Sequence, residues 1–268
     1  MRNLYISDLK RIFKDKLFLV TCILAGAFAV ILPLLNKALF DVLGLSDMLG
    51  MMASAKSMTF TAFIANDNLG LIMPILVAII ICKDFSQGTV RNKIISGKSR
   101  SVIYLSHFLA AATVMCGLML LHGLLTLGFS LFVFPYQETA FTAADFGYLM
   151  ASIAFEMVVY LAISAIVTFI ATLSKNMGVC ILLYLAVAFG LSLVGSIFNM
   201  AGMIISPEHN GYKIVEFLSA MNFYTSTLIG ANTAYTVKQV FYILFSPTLT
   251  IAGSLLLGIR SFSRKNLK

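Results

Sequence analysis

No residue between Leu17 and Leu35 is charged, and the same holds for residues 102–131, 178–199 and 239–259. Runs of this kind approach or exceed the ~20 apolar residues that a helix needs to cross a bilayer. The chain is 60% hydrophobic and 11% charged, whereas a soluble domain carries about 25% charged residues. One soluble core is thereby excluded. The runs predict an all-α integral membrane protein, a single domain over residues 1–268.

Six spans are predicted, at about 17–35, 64–82, 102–131, 147–173, 178–199 and 239–259. The second is the shortest: its clean apolar part, Leu69 to Cys82, is fourteen residues, or about 21 Å at ~1.5 Å per residue. It has to borrow from "FTAFIANDN" upstream, or the bilayer thins around it. The first run is longer than the apolar core of about 7–15 residues in a signal peptide and reads as a span.

Six spans bring both termini to one side, and the Lys/Arg bias selects that side. Arg2, Lys10, Arg11, Lys14 and Lys16 precede the first span, and Lys83, Arg91, Lys93, Lys98 and Arg100 follow the second. Lys175, Arg260, Arg264, Lys265 and Lys268 share their side, fifteen in all, against Lys37, Lys56, Lys213 and Lys238 opposite. Both termini are therefore expected in the cytoplasm. The net charge of +8 belongs to span ends, which argues for topology signals and against nucleic acid.

In "MRNLYISDLKRIFKDK", Tyr5, Leu9, Ile12, Phe13 and Lys16 recur at helical spacing. Residues 1–16 read as a basic amphipathic helix lying in the membrane interface. The loop "KDFSQGTVRNKIISGKSR", Lys83 to Arg100, contains Gly97-Lys98-Ser99. A nucleotide-binding P-loop needs Gly-x-x-x-x-Gly-Lys-Ser/Thr after a strand; here the first glycine is Asn92 and no strand context surrounds it. The loop reads instead as a short helix, capped by Thr89 and ended by Gly97. Phe85, Val90, Ile94 and Ile95 form an apolar set rimmed by Arg91, Lys93 and Lys98. Such a set in a water-facing segment suggests a docking surface for a partner, the alternative being a basic loop resting on anionic lipid.

This loop resembles the cytoplasmic loop of ABC type-2 permeases, the membrane subunits of six-helix bacterial ABC exporters. The likeness rests on Asp84, Phe85, Gly88-Thr89, Arg91 and the ending Gly97-x-Ser99-Arg100. Its place between spans two and three, the amphipathic start and six spans extend the likeness over the chain. The resemblance implies a coupling helix at about 84–97, with Asp84, Phe85, Gly88, Thr89, Val90, Arg91, Ile94 and Gly97 facing a separate ATP-binding subunit. It implies a second permease subunit, identical or different, and a bacterial cytoplasmic membrane. ATP and Mg would sit on the partner, with no cofactor, metal or catalytic residue on this chain. It further implies an external helical hairpin between spans five and six, for which residues 200–237 are available. There Ile214, Phe217, Leu218, Met221 and Leu228 suit a helix partly sunk in the outer leaflet, after a turn at Pro207, Asn210 and Gly211.

Glu156 is the one acid well inside a span, on a row with Ser152, Tyr160, Ser164, Thr168 and Thr172 at steps of four. Each step rotates about 40° at 3.6 residues per turn, so the row winds as a ridge. Interhelical hydrogen bonding, a contact for a cationic substrate and a coupling switch all fit. His107 and His122 are fifteen residues apart on one predicted helix, about 22 Å, too far to share a metal. Cys22, Cys82, Cys116 and Cys180 form no Cys-x-x-Cys pair and read as small hydrophobes. Ala25/Ala29 and Ala186/Gly190 are small-xxx-small pairs that permit close helix approach. The resemblance puts their spans at the dimer seam, while packing within one subunit is equally open. The function implied is export of amphipathic or hydrophobic compounds, such as peptides, toxins or antimicrobials. A membrane-embedded hydrolase using Glu156 and a non-transporting scaffold or immunity protein are the alternatives.

Overall fold

The computed structural model describes residues 1–43, 55–65, 72–134, 142–174, 176–206, 208–223 and 235–265. Among the described residues there are ten helices and no strand. They are α1 (Arg2–Lys14), α2 (Lys16–Val42), α3 (Ala55–Ala62), α4 (Ile72–Ser86) and α5 (Thr89–Ile95), then α6 (Arg100–Val133), α7 (Ala143–Leu173), α8 (Met177–Ile204), α9 (Asn210–Met221) and α10 (Val237–Arg264). Lys175, Pro207, Leu228, Lys268 and residues 66–71 of the second expected span lie outside the described residues.

Five helices, α2, α6, α7, α8 and α10, are long and apolar enough to cross a membrane, with 27, 34, 31, 28 and 28 residues. They overrun the apolar stretches from which they were expected, α2 for example continuing through Asn36-Lys37 after span one. The second span departs from expectation. Residues 63–65 leave the helix after α3, and α4 begins only at Ile72, so 64–82 is not one continuous helix. α4 has fifteen residues, about 22 Å long, and α5 continues from it at a bend of 55°.

Local chemistry accounts for the helix starts. The Thr142 hydroxyl accepts from the Asp145 N–H while Asp145 accepts from the Thr142 N–H, and Thr236 and Gln239 repeat this reciprocal cap at α10. Asn176 caps α8, and Asp15 separates α1 from α2 while capping the latter through Leu17 N–H at 2.9 Å. Each arrangement satisfies backbone donors that a helix start leaves unpaired.

α6 and α7 form the centre, with 56% and 61% of their apolar windows buried, against 22% for α2 and 17% each for α8 and α10. The outer three helices therefore present most of their apolar surface outward, as helices facing lipid do. α4 fills the space between α7 and α8, and Met73, Val77 and Ile81 join Met115, Ile163 and Tyr184 in one apolar core. Phe63 lies directly on Gly123, where even a Cβ would overlap its ring. Gly123→Ala is expected to displace Phe63 at a cost of about 1–3 kcal/mol, read as a lowered thermal unfolding temperature in detergent.

Ala25 and Ala29 are completely buried within the chain. α2 packs there on α6, whose His122 Nδ1 lies 3.0 Å from the Ala25 carbonyl oxygen. The first small-residue pair is thus used for packing inside the subunit, since only small side chains allow such close backbone approach. Ala186 and Gly190 stay exposed on α8.

Contacts sort the charged residues by bundle end. Arg100 Nη1 donates to the carbonyls of Phe262, Ser263 and Lys265 at 3.3, 2.9 and 2.7 Å, closing the end of α10. The Lys265 ammonium donates to the Thr172 carbonyl at the end of α7. These residues share one end with α1 and α5, so the basic loop, the N-terminal helix and the end of α10 cluster together. Lys56–Asp145 and Lys238–Glu216 pair at the opposite end.

Candidate functional site

At the basic end, four helices close over a buried ionic cluster. Asp8 of α1 and Asp84 of α4 are 2% and 1% exposed, and His107 of α6 is 1% exposed. Buried carboxylates need compensating charge or donors, and the neighbouring helices supply them. The Lys93 ammonium of α5 donates to Asp8 Oδ1 at 2.5 Å and stands 3.7 Å from Asp84 Oδ2. Arg11 of α1 pairs with the other oxygen of Asp84. Ser106 Oγ donates to Asp8 Oδ2 at 2.6 Å. Two carboxylates face two cations, so the cluster balances in formal charge.

His107 Nε2 lies between its neighbours, 3.0 Å from Lys93 Nζ and 3.1 Å from Asp84 Oδ2. Asp8, Asp84 and His107 offer ligand atoms within 4.8 Å of one another, a spacing that a metal ion could span. The place between them is filled by the Lys93 ammonium, which does the electrostatic work of a cation. Burial pulls the Lys93 ammonium below its ordinary range, and the hydrogen bond and charge of Asp8 pull it back up. The Arg11 guanidinium is likewise lowered first by burial and raised by Asp8 and Asp15.

The sequence reading of α1 is revised here. Tyr5, Leu9 and Ile12 do share a face, but they pack on the chain's own core rather than on lipid, and Tyr5 Oη meets Thr113 Oγ1 of α6 at 2.8 Å. Asp8, Lys93 and His107 were not anticipated as partners. The available signal was Asp8 itself, a lone acid at i and i+4 between Leu4 and Ile12 in a basic helix.

The expected short helix between spans two and three exists, as Thr89–Ile95. Its bounds differ at the front: residues 84–86 still belong to α4, and the N-cap is Gly88 rather than Thr89. Gly88 and Gly97 have φ of +73° and +82°, backbone that favours glycine. Gly97 ends α5 by donating to the Ile94 carbonyl at 2.9 Å, with Lys98 donating to Lys93 O at 3.2 Å. This is the left-handed helix stop expected of a glycine just past the last turn.

The apolar set of this loop is not one exposed patch. Val90 is buried with Ile103, Tyr104 and Phe262, and Ile94 packs against them. Phe85 stands edge-on to His107 and Phe262 at centroid distances of 5.5 and 5.7 Å, beneath the Lys265 ammonium at 5.6 Å. Ile95 points outward, 74% exposed, beside exposed Arg91, Asn92, Ser96 and Lys98. A seven-residue helix must anchor one side to be held at all, so two of its three apolar residues, Val90 and Ile94, go inward. Tyr104 is itself locked over Gly258 of α10, where a Cβ would overlap the phenol.

The row on α7 is buried throughout: Ser152, Glu156, Tyr160, Ser164 and Thr168 are all at or below 2% exposure. Its upper members reach other segments. Ser152 bonds the Tyr235 hydroxyl, and Glu156 Oε2 accepts the Ala65 N–H at 3.2 Å. Ser164 and Thr168 instead donate to carbonyls one turn back, at 2.7 and 2.8 Å. Glu156 therefore satisfies the backbone where the chain leaves α3. Glu156→Gln keeps an acceptor for that N–H, whereas Glu156→Ala leaves it unpaired at about 1–3 kcal/mol. The alanine variant alone is expected to lose thermal stability in detergent.

No known protein family and no curated protein matches the chain.

Proposed function

We propose that the chain is the membrane-spanning permease subunit of an ATP-driven exporter of the ABC type-2 permease kind. The observation that carries this reading is α5: a seven-residue helix between two left-handed glycines, anchored by Val90 and Lys93 and presenting Arg91, Asn92, Ile95 and Lys98 outward. A helix held rigidly on one side and offering a basic rim around an apolar residue suits a groove on a separate ATP-binding subunit. The ionic cluster ties it to α1, α4 and α6, so a push on α5 reaches two membrane-crossing elements as one body.

In this reading α4, with the segment before it, makes the second of six crossings. The basic end is cytoplasmic, following the fifteen-to-four division of Lys and Arg and the positive-inside rule. α9 and its surroundings form the external hairpin, and exposed Ile214, Phe217 and Leu218 sink into the outer leaflet. The exposed face of α8 around Ala186 and Gly190 meets a second permease subunit. ATP and Mg bind the partner, and this chain contributes no catalytic group. ATP then drives export by binding one arrangement of the permease better than another. Amphipathic or hydrophobic compounds such as peptides, toxins or antimicrobials are the cargo, in the bacterial cytoplasmic membrane.

Affinity purification of the tagged chain from native membranes, with an ATPase assay of what accompanies it, tests the reading. A stoichiometric ATP-hydrolysing subunit is the expected result. A chain that purifies alone from several mild detergents would overturn it.

A further inference from the structure

At the end of the bundle opposite the ionic cluster, α8, α9 and α10 line an open-mouthed cavity of about 360 Å³, within the range of about 300–1,000 Å³ usual for ligand pockets. Its wall combines both charges with three aromatic rings, Phe198, Tyr212 and Tyr242. Lys238 Nζ and Glu216 Oε1 lie 2.7 Å apart, both largely exposed, and the ammonium stands 5.8 Å from the centroid of Tyr242. Tyr212, Asn199 and Ser219 line the same cavity, the latter pair hydrogen-bonded at 3.3 Å.

The surroundings are apolar. Tyr242 touches Phe217 of α9 and Phe241 of α10 at 6.3 and 5.9 Å, and Phe241 stacks on Phe245 at 5.3 Å. Val237, Phe241, Phe245 and Leu249 are all exposed and recur every four residues, making an apolar strip along α10 whose first members adjoin the cavity-lining Lys238 and Tyr242 in sequence. A polar pocket holding one cation and one anion, opening onto an apolar strip on a membrane-crossing helix, has the layout of a phospholipid.

We infer that this cavity binds the headgroup of an aminophospholipid, a primary ammonium and a phosphate, with its acyl chains along the α10 strip. The Lys238 ammonium already occupies the position that a lipid ammonium takes, against Glu216 and the face of Tyr242, where ring electrons favour a cation. An incoming primary ammonium reproduces that contact, and Lys238 on its flexible stem turns to the phosphate. The exposed direct pair holds little against this exchange. An anionic lipid without an amine leaves Glu216 facing like charge, which sets the preference. The proposal stands independently of the exporter reading.

The test uses the full chain in nanodiscs holding equal amounts of phosphatidylethanolamine and phosphatidylglycerol, released and read by native mass spectrometry. The wild type is expected to retain the ethanolamine lipid over the glycerol lipid by about tenfold. Glu216→Gln and Lys238→Met should each bring retention close to parity, with the lipid-free unfolding temperature unchanged. Equal retention by the wild type, or a preference that survives both substitutions, overturns the inference. Soluble phosphoethanolamine should compete far more weakly than dihexanoyl-phosphatidylethanolamine. Equal potency of the two would overturn the lipid assignment in favour of a free zwitterion.

Discussion

Asp84→Ala is expected to destabilise the chain by about 3–5 kcal/mol, the cost of leaving a buried charge without its partner. The carboxylate is 1% exposed and faces Arg11, Lys93 and His107 together, so its loss takes the paired oxygen from Arg11 and leaves two cations facing one remaining carboxylate, Asp8. Thermal unfolding in mild detergent would show the effect, and protease should reach the segment around Lys93 before the bundle melts. The compensated double variant Asp84→Ala/Arg11→Met should recover much of the loss, because removing both members of a buried pair costs less than removing one. Equal instability of the single and double variants would show that Asp84 is held for packing rather than charge. The loop motif alone assigned Asp84 to partner docking; its burial gives it first to the fold.

Ile95→Glu is expected to abolish co-purification of the ATP-hydrolysing subunit while leaving the unfolding temperature unchanged. Ile95 is 74% exposed at the end of α5, and an apolar anchor at a docking centre commonly contributes 2 kcal/mol or more, about thirtyfold in affinity. Phe85 and Ile94 are poorer places for the same experiment, because both pack against Val90, Tyr104 and Phe262. A glutamate there would disrupt the chain's own core and confuse docking with folding. Val90→Glu serves as the contrasting control, expected to unfold the basic end. Retained ATPase after Ile95→Glu, with Arg91→Glu and Lys98→Glu equally silent, would remove α5 from the partner interface.

Two predictions arising from the backbone belong to the same logic. Gly123→Ala acts through Phe63, and Glu156→Ala acts through Ala65 N–H; neither touches the basic end. Additive losses with Asp84→Ala are expected, since the sites share no partner.

Five of the membrane-length helices were legible in the residues themselves. Length, absence of charge and the cap residues Thr142, Asn176 and Thr236 are local properties, and so are the glycine stop at Gly97 and the existence of a helix in residues 1–16. The basic residues before α2, between α4 and α6 and at the end of α10 were likewise visible in the chain. Other features depend on what each face meets after folding. Asp8 sits on an apolar stripe that looks suited to lipid until Lys93, 85 positions away, and Ser106 arrive beside it. Val90 and Ile95 are both apolar and five residues apart, yet only the packing of Tyr104 and Phe262 decides that one is buried and the other offered outward. Ala25 and Ala29 could have met any helix, and α6 takes them. Helix formation is decided over a turn or two of backbone, so sequence alone determines where helices are. The partner of a buried charge or a small-residue stripe is set by contacts dozens of residues apart, which only the tertiary structure brings together.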